Sequence, residues 1–427
     1  MQKNILKKKF ISICLMMIFI FNLNPLLGDE ASDYFSYITA LENLKKKEFT
    51  SLVISELFEY LNRFPNASNL DEMQFKIATI YSENKDTIRS LFFYIEFIYL
   101  YPNSKHISVV KDRVRSLLIK EKKFKSLREN IERIINPAIT DSTKEGVLFT
   151  FIRDMNEYRF KHITKLLIDV CDQFLKIYPN SSKTDEVQFW KAELLASDKK
   201  YRKALAEYMK LTFLYDVSIF VTSSKLRMAE LFTDKLNLHQ NAVLTLEEFL
   251  LEFPDDPQAA FAQYRMAQII AKEKNKYLEA INAYQAVAEK YPESLEAVPA
   301  LFEAAGLYED KFKEYDQAIS VYYKVVQDFP NDIKAPYALA EAAIIYEKRL
   351  KDYTNAADVY FKVFDKYPES KIAPESLYAA AEIYEKQLKD FNQAMTLYRS
   401  LIDQYPNIKI AKKASKRIEK LSKEMAK

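Results

Sequence analysis

Glycine is almost missing from this 427-residue chain: there are three, Gly28, Gly146 and Gly306. That shortage excludes a Gly-rich loop cradling phosphate and a nucleophile elbow, since both need several positions free of a Cβ. Histidine is as scarce. His106, His162 and His239 lie too far apart for a paired-ligand motif, which removes a His-x-Glu zinc site. Cysteine occurs only at positions 14 and 171, so no disulfide framework is available. Carboxylates are plentiful but sit at spacings expected of solvated helix faces, and nothing marks an acid pair of the glycosidase kind. The expectation is a protein that is not an enzyme and holds no cofactor and no metal.

What the chain has is a period. An aromatic-proline step recurs at Phe253-Pro254, Tyr291-Pro292, Phe329-Pro330, Tyr367-Pro368 and Tyr405-Pro406, each proline 38 residues after the last. A fixed repeat of this length is the mark of a solenoid of stacked helical units. Alanine follows each step at Ala259, Ala297, Ala335, Ala373 and Ala411, and again at Ala267, Ala305, Ala343 and Ala381. In the third unit the first helix reads Leu339, Ala342, Ala343, Ile345, Tyr346, Leu350, an apolar stripe at helical spacing. After Lys351-Asp352 a second helix starts near Tyr353 and carries Ala356, Tyr360, Val363 and Tyr367. Proline ends it, because the residue before a proline is pushed out of the α region. Pro336 and Pro374 fit an opening helical turn, and Ser294 and Ser370 just upstream are candidate N-caps.

This order of residues resembles the tetratricopeptide repeat in a longer variant, with the small residue, tyrosine, alanine, aromatic and proline at Ala343, Tyr346, Ala356, Tyr360 and Pro368. The family's tryptophan position is leucine here, at Leu301, Leu339 and Leu377. The Tyr-Pro-x-Ser junction is similar to that of exported bacterial members, the β-barrel assembly lipoprotein and the Tol-Pal-associated division coordinator. The expected fold is all-α, a right-handed α-solenoid of about ten antiparallel helix pairs with a C-terminal capping helix.

The same ruler runs backwards through Phe64-Pro65, Tyr101-Pro102, Tyr178-Pro179 and Tyr215-Asp216, with Ala78, Ala192 and Ala229 in register. Residues 31 to 64 add a pair whose second helix is striped by Phe49, Leu52, Val53, Leu57 and Tyr60. Cys171 stands eight residues before its junction, where other units have Tyr208, Tyr284, Tyr322, Tyr360 and Tyr398, and is read as a packing thiol. Between Pro102 and Pro179 the ruler slips, with a displaced junction at Asn136-Pro137. A kink near 136–146 and a degenerate repeat both fit. The nearby run Lys120, Lys122, Lys123, Lys125, Arg128 is read as a solvated face.

Residues 1–28 read as an export signal, with Lys3, Lys7, Lys8 and Lys9 ahead of an apolar run from Phe10 to Phe21; an uncleaved anchor is the alternative. Cys14 follows the large Ile13, which disfavours lipidation. The organisation expected is then degenerate repeats over 29–253, four regular repeats over 254–405 and a basic capping helix over 406–427. Charges number 63 basic and 60 acidic. The two ends hold much of the basic excess, leaving a mildly acidic repeat body that argues against nucleic acid.

The resemblance places a groove along the first helix of each pair. Carried onto this sequence, it gives Tyr264, Gln268, Phe302, Glu309, Tyr337, Ile344, Glu347, Tyr378, Glu382 and Glu385, with Phe75, Glu186, Phe189 and Glu193 from earlier units. Aromatics supply contact area at low entropic cost, and carboxylates between them would fix the register of a basic or amide-rich extended segment. The function expected is a periplasmic or outer-membrane-associated scaffold that joins other envelope proteins in envelope assembly or division, touching a membrane only through an uncleaved amino-terminal segment or a partner. The alternative is a binder of peptidoglycan or another envelope glycan.

Overall fold

The computed structural model describes residues 27–44 and 47–425, and among them every regular element is helical. The export signal and Cys14 lie outside the described residues, apart from Leu27 and Gly28, which open the first helix. No helix among the described residues is long and apolar enough to cross a membrane. The chain divides into two units, 1–231 and 232–427.

Unit 1 opens with helices α1 (Leu27–Asn43) and α2 (Thr50–Arg63), followed by α3 (Leu70–Glu83) and α4 (Thr87–Leu100). The next pair is irregular. After α5 (Ile107–Lys120) a 3-10 segment, Lys122–Asn130, and the short α6 (Ile131–Ile135) replace a full second helix. Then come α7 (Lys144–Glu157), α8 (Thr164–Ile177), α9 (Thr184–Ser197), α10 (Tyr201–Leu214) and α11 (Phe220–Glu230). A π-helical turn, Leu231–Lys235, follows α11. Unit 2 holds α12 (His239–Glu252) and the pairs α13 (Ala259–Ile270) with α14 (Tyr277–Lys290), α15 (Ala297–Leu307) with α16 (Tyr315–Asp328), α17 (Ala335–Ile345) with α18 (Tyr353–Lys366), and α19 (Ala373–Ile383) with α20 (Phe391–Gln404). Helix α21 (Lys409–Met425) closes the chain, packing on α20 and α19.

The junction aromatics all end helices in one non-helical conformation, with φ near −130° and ψ near 55° at Phe253, Tyr291, Phe329, Tyr367 and Tyr405. The proline after each enforces that departure from the helix. Alanines at both helical positions of the repeat are buried, among them Ala259, Ala267, Ala343 and Ala356. Side chains this small let paired helices reach the close end of the usual separation. Tyr208, Tyr284, Tyr322, Tyr360 and Tyr398 are buried too, as is Cys171, whose thiol pKa is raised by burial and then by Asp172.

Several local expectations are corrected. Leu350 is exposed, because α15, α17 and α19 each run into a π-helical turn (Tyr308–Phe312, Tyr346–Leu350, Tyr384–Leu388) that shifts the register after the tyrosine. Each turn is closed by a left-handed lysine, Lys313, Lys351 or Lys389. Leu52 is exposed as well, and Ile54, Phe58 and Leu61 join Leu57 in the core. Ser294 and Ser370 are not N-caps; those positions are Glu296 and Ile372, and the serine carbonyls accept from Ala297 (3.4 Å) and Ala373 (3.1 Å). Arg128 of the basic run is structural, donating to the C-terminal carbonyls of α5 at Leu118 (3.1 Å) and Ile119 (2.6 Å).

Gly146 sits in the first turn of α7, where Thr143 Oγ1 accepts from its N–H at 3.0 Å. A Cβ there would lie 2.1 Å from Asp141 Cγ and 2.5 Å from its Cβ. Thr143 and Lys183 hold that carboxylate in place, lowering its pKa to about 2 chiefly through the Thr143 side chain. Around Gly306, in α15, a Cβ would meet nothing within 4 Å. Alanine should therefore act with opposite signs at the two sites. In urea unfolding, Gly146→Ala should cost about 1–3 kcal/mol by overpacking, while Gly306→Ala should stabilise by about 0.5–1 kcal/mol through helix propensity.

Candidate functional site

The first helices of unit 2 carry rings at one recurring position, Tyr264 on α13, Phe302 on α15 and Tyr378 on α19. Each is half-buried on the inward tyrosine of its own repeat: Tyr264 on Tyr284 with centroids 5.7 Å apart, Phe302 on Tyr322 at 5.3 Å, Tyr378 on Tyr398 at 5.4 Å. Burial raises the pKa of those inward tyrosines, which keeps them neutral. The row therefore serves packing on one side and surface on the other. At the equivalent position of α17 the chain has the buried Ala340, so the row skips one repeat. One turn earlier Tyr337 projects, with 37% of its surface exposed.

Beside that gap lies a cleft of about 1030 Å³, which brings Tyr264, Phe302 and Tyr337 together. Its remaining walls come from the opening turns of α15 and α17, with Pro299 and Pro336, and from two junction loops around Pro330–Lys334 and Lys366–Lys371. Ile333, at a loop tip, is 83% exposed. Lys334 sets its Nζ 5.6 Å from the centre of the Phe302 ring, a cation over a π face. Glu303 and Glu341 supply carboxylates. The pKa of Glu341 is raised, first by burial and then by the charge of Glu309.

The other expected groove residues lie outside this cleft. Glu309 pairs with Arg349 of the next repeat (2.9 Å), Glu347 accepts from Tyr360 Oη (3.1 Å), and Glu382 pairs with Lys386 in the π-helical turn that follows its helix. Gln268 and Ile344 are half-buried. Glu385 is corrected as a groove residue: it is only 6% exposed, its carboxylate taken by Tyr398 Oη (2.9 Å) and Arg417 Nε (2.9 Å) where α21 covers the last repeat. In unit 1, Phe75 stacks on His106 with centroids 4.4 Å apart, and Glu186 is half-buried with its pKa raised by burial. Phe189 stacks on Phe220 at 5.2 Å and, with Glu193, lines a different cavity of about 500 Å³. No group of three or more His, Cys, Asp or Glu is placed to hold a metal among the described residues.

Residue-type reasoning missed Glu303, Glu341, Lys334, Ile333 and the prolines of the cleft. Glu303 and Glu341 were open to discovery, being one 38-residue step apart. The loop residues gave no such signal.

The model of the tetratricopeptide repeat matches residues 261–294, 299–332 and 375–407. Those three segments of unit 2 are tetratricopeptide repeats. Between the second and third matched tetratricopeptide segments, α17 and α18 keep the spacing and the buried alanines of their neighbours, and this is the repeat in which Ala340 interrupts the row of rings. No curated protein matches the chain. Among solved structures, a tetratricopeptide repeat protein of Parabacteroides merdae is similar at 14% identity and TM-score 0.34, over 63% of this chain and 98% of that one. The C-terminal part of a repeat-containing protein of Cytophaga hutchinsonii gives 15% and 0.39, over 62% and 98%. Yeast Tom70 gives 12% and 0.30, over 94% and 96%.

Proposed function

We propose that the protein is a non-catalytic scaffold that binds an extended segment of a partner protein in the cleft over Tyr264, Phe302 and Tyr337. The carrying observation is that cleft, apolar along its floor and edged by Glu303 and Glu341. Rings and prolines offer rigid contact area at low side-chain entropy cost. Glu341, half-buried beside Glu309, gains most from an incoming cation, so the segment is basic or amide-rich with apolar anchors. Tetratricopeptide repeats are protein-interaction modules, which supports the scaffold reading. Its compartment in this proposal is the periplasm or the periplasmic face of the outer membrane, a reading that rests on the lysines and apolar run of residues 1–28.

The test is photo-crosslinking in cells, with the reactive group at Tyr337 and a control at the exposed Lys362 on α18. A discrete envelope protein captured from Tyr337 alone, and lost when Phe302 becomes Ala, supports the proposal. Purified, that partner should bind Phe302→Ala about ten- to hundredfold more weakly, as for a central aromatic anchor. Equal capture at both positions, or capture unaffected by Phe302→Ala, removes the cleft from the function. Recovery with cell-wall sacculi and no protein adduct would favour the glycan alternative.

A further inference from the structure

The cavity of unit 1 has a chemistry unlike the cleft of unit 2. It is built by the end of α7, the turn at Arg159 and Phe160, the first turns of α8, the body of α9 and Arg227 on α11. Three rings line it: Phe160, Phe189 and Trp190. Each is backed on the protein side, Phe189 by Phe220 (5.2 Å, nearly parallel), Trp190 by Phe149 (5.4 Å, nearly parallel) and Phe160 edge-on by Phe124 (5.2 Å). The rings are thus packed against the protein on the side away from the cavity.

The polar groups are unevenly matched. Arg227 is neutralised twice over, with Nε 3.1 Å from Glu193 and Nη1 2.9 Å from Glu230. Glu193 also accepts from Tyr208 Oη. Arg159, by contrast, makes no ion pair or side-chain hydrogen bond among the described residues, and neither does the Asn156 amide or the Trp190 indole N–H. Arg159 sits in the left-handed region at φ 47°, the backbone state that also follows other helices of the chain at Lys85 and Lys199. One uncompensated guanidinium and two further donors therefore edge a cavity that presents three rings beside the aliphatic Met155, Leu167 and Leu194. At about 500 Å³ it has the size of a small-molecule site.

From this we infer that unit 1 binds a small ligand, or one residue of a larger one, consisting of a six-membered ring that carries a single carboxylate. The ring lies against Phe189 and Trp190, and the carboxylate meets Arg159 and Asn156. Two sources share that chemistry, aromatic acids and uronic-type sugar acids. The inference does not depend on the cleft of unit 2.

Trp190 is the chain's one tryptophan, so tryptophan fluorescence comes from the wall of this cavity. The probes are phenylacetate and glucuronate, each set against a neutral counterpart, benzyl alcohol and glucose. The expected result is a saturable change in Trp190 emission with one of the two acids, about tenfold or more weaker with its neutral counterpart. Arg159→Gln should weaken the acid by about ten- to hundredfold. Asn156→Asp brings a negative charge to the same rim and should weaken it too, which keeps the test decisive if the Arg159 variant loses helical signal. The acid that responds identifies the source. Absence of saturation with both acids overturns the inference, as does a neutral analogue binding equally well or an affinity unchanged in both variants.

Discussion

Replacing Arg417 by Ala should destabilise the carboxy-terminal end of unit 2 by about 3–5 kcal/mol, the usual cost of leaving a buried carboxylate without its cation. Glu385 lies in the π-helical turn after α19 with 7% of its side chain exposed, and Arg417 reaches it from α21 with 26% exposed. The guanidinium engages both carboxylate oxygens, and Tyr398 Oη donates to one of them at 2.9 Å. Removing the arginine leaves Tyr398 as the sole partner of a charge that water barely reaches. Alanine also forfeits the packed stem of the side chain. Because α21 is held by few other large contacts, chiefly Ala411, Ala414 and Leu421, the loss should appear first as fraying of that helix. Amide hydrogen exchange across residues 409–425 should accelerate before global unfolding shifts. The double variant Glu385→Gln with Arg417→Met removes both charges and should be much milder, since an apolar replacement of a buried pair costs little. A single Arg417→Ala within about 0.5 kcal/mol of the parent, the range of ordinary surface substitutions, would mean that the pair is solvated and that α21 docks through its apolar face alone.

That pair also marks where sequence reasoning reached its limit. The junction aromatics were legible because one constraint, proline after a helix-ending ring, repeats at a fixed interval, and the buried tyrosines eight residues before the junction followed from the same ruler. Ala267, Ala343 and Cys171 were legible as core for the same reason. Leu350 was not, because extrapolating an α-helical stripe past Tyr346 assumes 3.6 residues per turn, and the π-helical turn does not keep it. Glu385 was misassigned because the ruler treats equivalent positions alike, whereas the last repeat is covered by α21 in place of another repeat. Within the candidate cleft, Tyr264, Phe302 and Tyr337 were legible as aromatics on first helices. Ile333, Lys334 and the Lys366–Lys371 loop were not: they are brought together only by the stacking of successive repeats, and no periodicity in loop residues announces which of them will face a neighbour's ring.

Glu96 should make the stability of unit 1 depend on pH in the direction opposite to most carboxylates. It lies in α4, 2% exposed, and burial raises its pKa to about 8, a shift that the hydrogen bond from Gln74 Nε2 to Glu96 Oε2 only partly opposes. Its other oxygen has no partner, nor does Gln74 Oε1. In the unfolded chain the group titrates near 4.5. Between those two values the folded state holds a proton that the unfolded state has lost, so stability falls as pH rises through that window and levels off above it. One proton corresponds to a slope of about 1.4 kcal/mol per pH unit at most. Glu96→Gln retains the shape and the bond to Gln74 while removing the charge, and so should abolish this slope. Urea unfolding compared at pH 5 and pH 8 is the check. The variant and the parent should nearly coincide at pH 5, and the variant should be the more stable by several kcal/mol at pH 8. A parent whose stability is flat or rising across that range, with Glu96→Gln parallel to it, would mean that water reaches the carboxylate. In that case Gln74 and Glu96 would be an ordinary ion–dipole contact and α4 a looser element than its packing suggests.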